Sequence, residues 1–198
     1  MLFPTVALTV LSFVLLPLMV FADPDPTPIP APTPAPTPAP TPAPSNNTSS
    51  ANYGRTVAVL NQQDFCLFLP RYYGGEIAPS ESTAVAFCTK KLAAAPNSRI
   101  LPKYFIKSAH YVRNTHRGYV QVTGRMDRTK YGLSRHDEGG QYDPQAPRWS
   151  KCTGYNYFVS LVEPNDNIYC IRCCRNKYDC PVNKSELGCR RVIGGNYS

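Results

Sequence analysis

Hydrophobic and polar positions alternate along several short stretches of the chain between residues 55 and 173. In GYVQVTG (118–124), Val120 and Val122 fall on one face and their neighbours on the other, which is the two-residue period of a β-strand. Five more stretches are short, rich in β-branched or aromatic residues and bounded by turn residues: 55–61, 64–70, 103–112, 155–164 and 167–173. The pattern predicts a mainly β domain.

Two stretches depart from this pattern. PSESTAVAFCTKKL (79–92) predicts a short helix, because Ser80 or Ser82 can cap its start and the lysines near its end suit the helix dipole. SRHDEGGQYDPQAPRW (134–149) contains several Gly and Pro residues and predicts a long loop, of the kind that is usually functional or mobile. We therefore expect an all-β fold, a disulfide-stapled antiparallel β sandwich or barrel with at most one short helix.

The first 22 residues are apolar and carry no charge. Val20 and Ala22 suit a cleavage after Ala22, so residues 1–22 predict a secretory signal peptide, although no Lys or Arg precedes the apolar run. The alternative is a membrane anchor, since the run is long enough to span a bilayer. We favour cleavage, because Asp and Pro residues follow in place of a basic stop-transfer cluster. No stable membrane insertion is expected after cleavage, and the protein is expected to be secreted.

Residues 23–52 are dominated by repeats of Ala-Pro-Thr-Pro. Proline fixes φ and lacks a backbone donor, so this stretch predicts a disordered, polyproline II-like stalk that rises about 3.1 Å per residue. Threonines between prolines are typical of O-glycosylated stalks. Four N-x-[ST] sequons predict N-glycosylation at Asn46, Asn47, Asn183 and Asn196. Residues 53–198 then form a single cysteine-rich β domain of ordinary size.

The domain contains eight cysteines: Cys66, Cys88, Cys152, Cys170, Cys173, Cys174, Cys180 and Cys189. An even number in a secreted chain favours a disulfide framework over a metal or redox site. Cys170 and Cys173 have the spacing of half a zinc site, but no second C-x-x-C and no suitable His pair follow. We therefore expect four disulfides, no metal and no cofactor.

The domain is basic. All 21 Lys and Arg residues lie in it, whereas Asp23 and Asp25 precede it among the 13 acidic residues, so its formal net charge is +10. Such a charge makes polyanion binding possible, but the basic residues are dispersed along the chain, which is more typical of a solubility device.

An enzymatic role is the less favoured hypothesis. A small, basic, secreted protein is compatible with a ribonuclease, in which His110 with His136 or Glu138 would act as base and acid beside an arginine. His110 is also compatible with a half-buried structural role on its strand. The chain contains neither G-x-S-x-G nor H-E-x-x-H, and oxidised cysteines exclude a thiol nucleophile.

Binding is the favoured hypothesis. The domain contains 13 tyrosines and one tryptophan, whose rings suit a sugar face or a protein partner. Tyr72 and Tyr73 precede a Gly-Gly turn, and Tyr142 and Trp149 lie in the expected loop 134–149, so we expect these four to be exposed and to bind ligand. The expected partner is a polysaccharide or a host or surface protein; the oligomeric state stays open.

Several segments together resemble a family of fungal secreted glycoproteins, some of them described as macrophage-activating. They are QDFCLFLP (63–70), AVAFCTK (84–90), KSAHYV (107–112), GYVQVTG (118–124), GGQYDP (139–144) and the Cys170-x₃-Cys174 pair. The resemblance implies a fungal, extracellular glycoprotein without an established catalytic mechanism. Cell-wall association and an effector-like contact with host proteins are roles that follow instead from the binding hypothesis. The resemblance also implies that Cys152 and Cys173 form an extra bridge and that Cys66 pairs with Cys88, leaving three connectivities for the other four cysteines.

Overall fold

Ten short strands and one helical turn make up residues 54–198, the part of the chain that the computed structural model describes. The strands are β1 (Thr56–Val57), β2 (Cys66–Leu69), β3 (Val85–Cys88), β4 (Arg99–Ile100), β5 (His110–Asn114), β6 (Tyr119–Arg125), β7 (Gly140–Tyr142), β8 (Lys151–Cys152), β9 (Tyr157–Glu163) and β10 (Ile168–Cys174). The helix is α1 (Gly188–Val192), and four 3₁₀ turns occur at Ala78–Ser80, Arg128–Tyr131, Lys177–Asp179 and Ser185–Leu187. The expected mainly β fold with one short helix is confirmed. The predicted signal peptide and stalk lie outside the described residues.

The largest sheet has five strands in the order β5-β6-β10-β9-β7, and every pair in it is antiparallel. Its centre is the β9–β10 hairpin, whose turn 164–167 begins with Pro164 and ends with Asn167 at a φ of 54°. Pro at the start of a turn and Asn in the left-handed region are the residues that such a reversal favours. The hairpin therefore has a local sequence cause.

Two smaller sheets complete the fold. One has the order β2-β3-β4, and the other pairs β1 with β8. Their β3–β4 and β1–β8 pairs are parallel, which the expected antiparallel arrangement did not include. Aromatic contacts join the β2-β3-β4 sheet to the five-stranded sheet: the Phe68 ring lies 5.4 Å from Phe158 and 5.8 Å from Tyr142, and Phe65 stacks at 5.8 Å on Tyr169. The main core lies between these layers.

A second, smaller core covers the opposite face of β9 and β10. Here Val192, Ile193 and Tyr197, from α1 and the residues after it, pack on Val159 and Leu161 of β9. Strands that are buried on both faces lose the polar alternation of a half-exposed strand. This explains why NIYCIRCC at 167–174 is almost continuously apolar.

Four disulfides hold these layers together, and all eight cysteines take part. The structure pairs Cys66 with Cys88 and Cys152 with Cys173, as the resemblance implied. The other two bridges are Cys170–Cys189 and Cys174–Cys180, which selects one of the three open connectivities. The neighbours Cys173 and Cys174 therefore have different partners on opposite faces of β10.

The prediction of a helix at 79–92 is wrong. This segment forms a 3₁₀ turn at Ala78–Ser80 and then strand β3, every residue of which is buried. Cys88 is bridged to the directly opposite Cys66, and Val and Phe residues in β3 fill the core, so tertiary contacts override the local capping signal.

Two further segments were assigned incorrectly. The loop expected at 134–149 contains strand β7, which pairs with β9 at the edge of the sheet. The strand expected at 103–112 begins only at His110, because Tyr104 has a φ of 66° and Ile106 forms an isolated bridge. Helix α1 was not predicted at all, since five residues are too few to show a helical period.

Candidate functional site

Three arginines that are far apart in sequence come together around strand β3. The Gly54 carbonyl oxygen accepts a hydrogen bond from the Ala86 backbone N–H at 2.6 Å, which places Arg55 beside this strand. Arg71 follows β2, the antiparallel partner of β3, by two residues. Arg99 begins β4, the parallel partner on the other side. The sheet thus places all three side chains on the same part of the surface.

Hydrogen bonds fix two of these side chains. Arg99 Nη1 donates to the Arg71 carbonyl oxygen at 2.5 Å, and its guanidinium carbon lies 5.6 Å from the centre of the Phe87 ring. Arg55 Nη1 donates to the Ser82 carbonyl oxygen at 3.2 Å. Partial burial, followed by the nearby guanidinium of Arg71, lowers the pKa of Arg55. Within residues 54–198, none of the three arginines forms an ion pair with a carboxylate.

Two exposed tyrosines adjoin these arginines. Tyr72 and Tyr73 are 74% and 70% exposed, and the Arg71 guanidinium carbon lies 5.9 Å from the centre of the Tyr72 ring. The Tyr73 ring packs edge-on against Tyr131 at 5.6 Å and over Gly132, where a Cβ atom would overlap it. Tyr73 therefore has one supported side and one side open to solvent.

The support beneath Tyr73 belongs to the core. Tyr131 is buried, donates its hydroxyl hydrogen to the Pro70 carbonyl oxygen at 2.8 Å and packs against Phe87 at 5.1 Å. Burial raises the pKa of Tyr131, and the neighbouring Arg99 opposes this change only in part. The hydroxyl therefore stays a neutral donor at physiological pH.

We call Arg55, Arg71, Tyr72, Tyr73 and Arg99 the arginine–tyrosine face. It presents two flat amphipathic rings beside three guanidinium groups, each of which carries several N–H donors. Such a surface can stack on flat units of a polar polymer and donate hydrogen bonds to it. Tyr72 and Tyr73 are exposed, as the sequence predicted, whereas the sequence did not predict that the three arginines lie beside them.

The other two expected ligand-binding residues, Trp149 and Tyr142, differ in exposure. Trp149 is 77% exposed and stands two residues before Lys151, whose N–H donates to the Arg55 carbonyl oxygen at 2.9 Å. It therefore lies at the same end of β1 as Arg55. Tyr142, in contrast, is completely buried in β7 and contacts Phe68, so the expectation that it is exposed is wrong.

The histidines do not converge. His110 on β5 shares a row of the sheet with Gln141 on β7, four strands away, which corresponds to about 19 Å. His136 and Glu138 precede β7 at that opposite edge. His110 Nε2 lies 3.3 Å from the Ser198 carbonyl oxygen, while His136 Nε2 accepts from Arg135 Nε at 3.1 Å. The acid–base pair that a ribonuclease requires is not brought together.

An apolar groove of about 470 Å³ lies elsewhere on the domain. Its lining includes Tyr157 and Tyr178, which are 39% and 84% exposed, beside Pro144, Pro181 and Val182. We call it the tyrosine groove. It is the structural alternative to the arginine–tyrosine face as a binding surface.

A second cavity, of about 380 Å³, is acidic and is lined by Glu138, Glu163, Asp166, Glu186 and Arg190 among others. Burial raises the pKa of Glu163, whose carboxylate accepts a hydrogen bond from the Cys189 N–H at 2.6 Å. No group of three or more His, Cys, Asp or Glu side chains suited to a metal ion occurs between residues 54 and 198. No helix in that range has the length and apolar character that crossing a bilayer requires.

The predicted N-glycosylation sites are accessible where the structure describes them. Asn183 and Asn196 are both exposed, and Asn183 has a φ of 58°. Asn46 and Asn47 lie outside the described residues. N-glycosylation itself stays a prediction.

Comparison with known proteins finds relatives in one fungus. The chain is 31% identical over 162 residues to the appressorium protein ROW1 of Mycosarcoma maydis, covering 72% of this chain and 37% of that protein. It is 27% identical over 183 residues to the appressorium protein ROW2 of the same fungus, covering 76% of this chain and 60% of that protein. The chain thus spans less than two thirds of the length of either relative. No family model and no solved structure matches it.

Both relatives are fungal proteins, as the resemblance implied. The more specific link to macrophage-activating glycoproteins stays a prediction.

Proposed function

We propose that this protein acts outside the fungal cell or at its surface by binding a polysaccharide through the arginine–tyrosine face. The observation that carries the proposal is the position of Tyr73, whose ring is 70% exposed yet supported by Tyr131 and Gly132, beside Tyr72 and three arginines. A ring that is already held in place loses little conformational entropy when a ligand packs on it. This favours binding to a flat apolar surface such as that of a sugar ring.

The extracellular or surface location has independent support. The four disulfides are typical of proteins that mature in an oxidising compartment. The two relatives are named as appressorium proteins, which supports a role at a fungal surface in contact with a host. The predicted signal peptide (1–22) and glycosylated stalk (23–52) would deliver the domain and hold it away from that surface.

Binding also fits the arrangement of the titratable groups better than catalysis does. His110 lies at one edge of the five-stranded sheet, and His136 and Glu138 precede the strand at the other edge. General acid–base catalysis requires two such groups within reach of one substrate bond. A ligand held on the arginine–tyrosine face would meet rings and permanent cations, which bind without reacting.

The test is a retention assay of the full secreted chain on insoluble chitin, β-glucan and cross-linked polygalacturonate, at about 0.1 M and about 1 M salt. Raising the salt shortens the Debye length from about 10 Å to about 3 Å and so weakens purely electrostatic binding. We expect at least one of these polysaccharides to retain the protein, with a fraction that survives high salt. The double variant Tyr72→Ser/Tyr73→Ser should reduce that fraction at least tenfold, since stacking of a flat group on one aromatic ring contributes about 1–3 kcal/mol in base–aromatic pairs and about 1.4 kcal/mol corresponds to tenfold.

Two single variants provide the controls. Tyr104→Ser removes a tyrosine that is 64% exposed outside both candidate surfaces, and it should leave retention unchanged. Tyr178→Ser tests the tyrosine groove. Loss of retention only in Tyr178→Ser would move the site to the groove. Failure of all three polysaccharides to retain the wild-type protein would contradict the proposed function.

A further inference from the structure

We infer that the arginine–tyrosine face selects polysaccharides that carry carboxylate groups, such as polyuronates, over neutral ones. This inference rests on the proposed function and specifies the class of ligand for the same face. It explains why the fold gathers Arg55, Arg71 and Arg99 in one place.

The first argument is the missing counter-charge. Among residues 54–198, only four of the 21 basic side chains pair with a carboxylate, namely Lys90, Lys107, Arg117 and Lys130. The three arginines of the face have no such partner, although they lie near one another in a domain of net charge +10. Like charges held together raise the free energy of the folded state unless an anion compensates them. The face therefore favours an anionic ligand.

The second argument is the geometry of the donors. Arg99 is held by the Arg71 carbonyl oxygen and the Phe87 ring, and Arg55 is held by the Ser82 carbonyl oxygen. Each carbonyl oxygen takes up one N–H of a guanidinium that has five, and Arg99 also contacts the Tyr131 hydroxyl. The remaining donors form a planar fork that matches the two oxygens of a carboxylate. Two of the three forks are thus oriented before a ligand arrives.

The third argument is the neighbourhood of rings and charges. Tyr72 and Tyr73 follow Arg71 directly, so a ligand that spans the face needs a flat unit next to an anionic group. A uronate polymer repeats this combination at every sugar. A single-stranded nucleic acid also combines bases with phosphates. The disulfide-stabilised domain and its proposed place outside the cell favour the polysaccharide, and RNA is an outcome of the test.

The experiment compares polygalacturonate with its fully methyl-esterified form, which has the same sugar backbone without the charge. Binding of the full secreted chain is measured by biolayer interferometry at about 0.1 M salt. We expect the wild-type protein to bind the charged polymer at least tenfold more tightly than the ester. The triple variant Arg55→Gln/Arg71→Gln/Arg99→Gln should lose at least tenfold in affinity for the charged polymer.

A matched variant separates the face from the overall charge. Arg113→Gln/Arg125→Gln/Arg191→Gln removes three exposed arginines elsewhere and leaves the same net charge as the first triple variant. We expect it to lose less than threefold in affinity. If both triple variants weaken binding equally, net charge alone is responsible and the inference is wrong. Arg71→Gln, which removes an exposed side chain that makes no hydrogen bond within residues 54–198, repeats the test if a triple variant fails to fold.

Three further outcomes are decisive. Equal binding of polygalacturonate and its ester would leave the proposed polysaccharide binding intact and overturn only the selectivity for carboxylates. Tighter binding of single-stranded poly(U) RNA than of polygalacturonate at equal charge concentration would replace the polysaccharide by a nucleic acid. If neither polymer nor the neutral polysaccharides bind, the inference and the proposed function fall together.

Discussion

Gly132 shows how one residue without a side chain positions a binding ring. It has a φ of +67°, ends the 3₁₀ turn Arg128–Tyr131 and lies directly beneath the Tyr73 ring. Gly132→Ala would strain the backbone and displace that ring. Gly154→Ala, at a φ of +80° with open space around it, introduces the strain alone. We expect both variants to lose about 1 kcal/mol of stability from the backbone, and Gly132→Ala to lose more.

The two glycine variants also separate stability from binding. Urea unfolding measures the first quantity, and retention on the polysaccharide that binds the wild-type protein measures the second. Gly132→Ala should weaken retention several-fold, whereas Gly154→Ala should not change it. Equal retention by both variants would show that the support beneath Tyr73 does not contribute to the site.

At the residue level, exposure was predicted correctly only where the local sequence determines it. Tyr72 and Tyr73 precede a Gly-Gly turn and are exposed, as a turn requires. Tyr142 has a similar polar neighbourhood, but its segment pairs with β9 and becomes buried. Arg55, Arg71 and Arg99 are single basic residues near strand ends, and nothing local marks them as a group. Only the pairing of β2 and β4 with β3 shows that they meet.

At the scale of elements, the alternation of hydrophobic and polar residues predicted strand β6 correctly, whereas helix-capping residues predicted a helix at 79–92 that does not form. Strand β6 follows the alternating stretch that predicted it almost residue for residue. The segment 79–92 has serines at its start and lysines near its end, yet Val85 and Phe87 are buried in a sheet. A capping signal stabilises a helix by about 1 kcal/mol, which is less than the burial of two such side chains provides. Val85–Cys88 therefore forms a strand.

The disulfides differ in the length of chain that they close. Cys152–Cys173 spans 21 residues and joins β8 to β10, whereas Cys174–Cys180 spans 6 residues next to it. All four sulfurs belong to buried residues, so the two bridges are matched in burial. Restriction of the unfolded chain predicts a stabilisation of about 3 kcal/mol for the longer loop and about 2 kcal/mol for the shorter one.

This ordering can be measured with the double variants Cys152→Ser/Cys173→Ser and Cys174→Ser/Cys180→Ser. We expect the free energy of unfolding in urea to fall by about 1 kcal/mol more in the first variant than in the second. The reverse order would mean that native contacts around Cys174 and Cys180, and not the entropy of the unfolded chain, determine their contribution.

At the scale of the whole molecule, the fold brings together basic residues that are dispersed along the sequence. The 21 basic residues are scattered along the sequence, which favoured a role in solubility. The sheet pairing nevertheless collects three of them without a carboxylate partner among residues 54–198. The remaining charge would attract any polyanion from a distance, and the face would determine which one stays bound. In this proposal, attraction and selection come from different parts of the same surface.

Attraction by the net charge and recognition of carboxylates by the face should respond differently to acid. Uronate carboxyls have pKa values of about 3.5 and are neutral near pH 2.5, whereas sulfate esters stay charged and arginine stays protonated. The net positive charge of the protein rises over the same range as its own carboxylates protonate. We therefore expect the affinity for polygalacturonate to fall at least tenfold between about pH 5 and about pH 2.5, while the affinity for dextran sulfate stays constant or rises. Retained binding of dextran sulfate shows that the protein is still folded at the lower pH. Parallel loss of both ligands would point to acid unfolding, and unchanged binding of polygalacturonate would show that its carboxylates are not what the three arginines recognise.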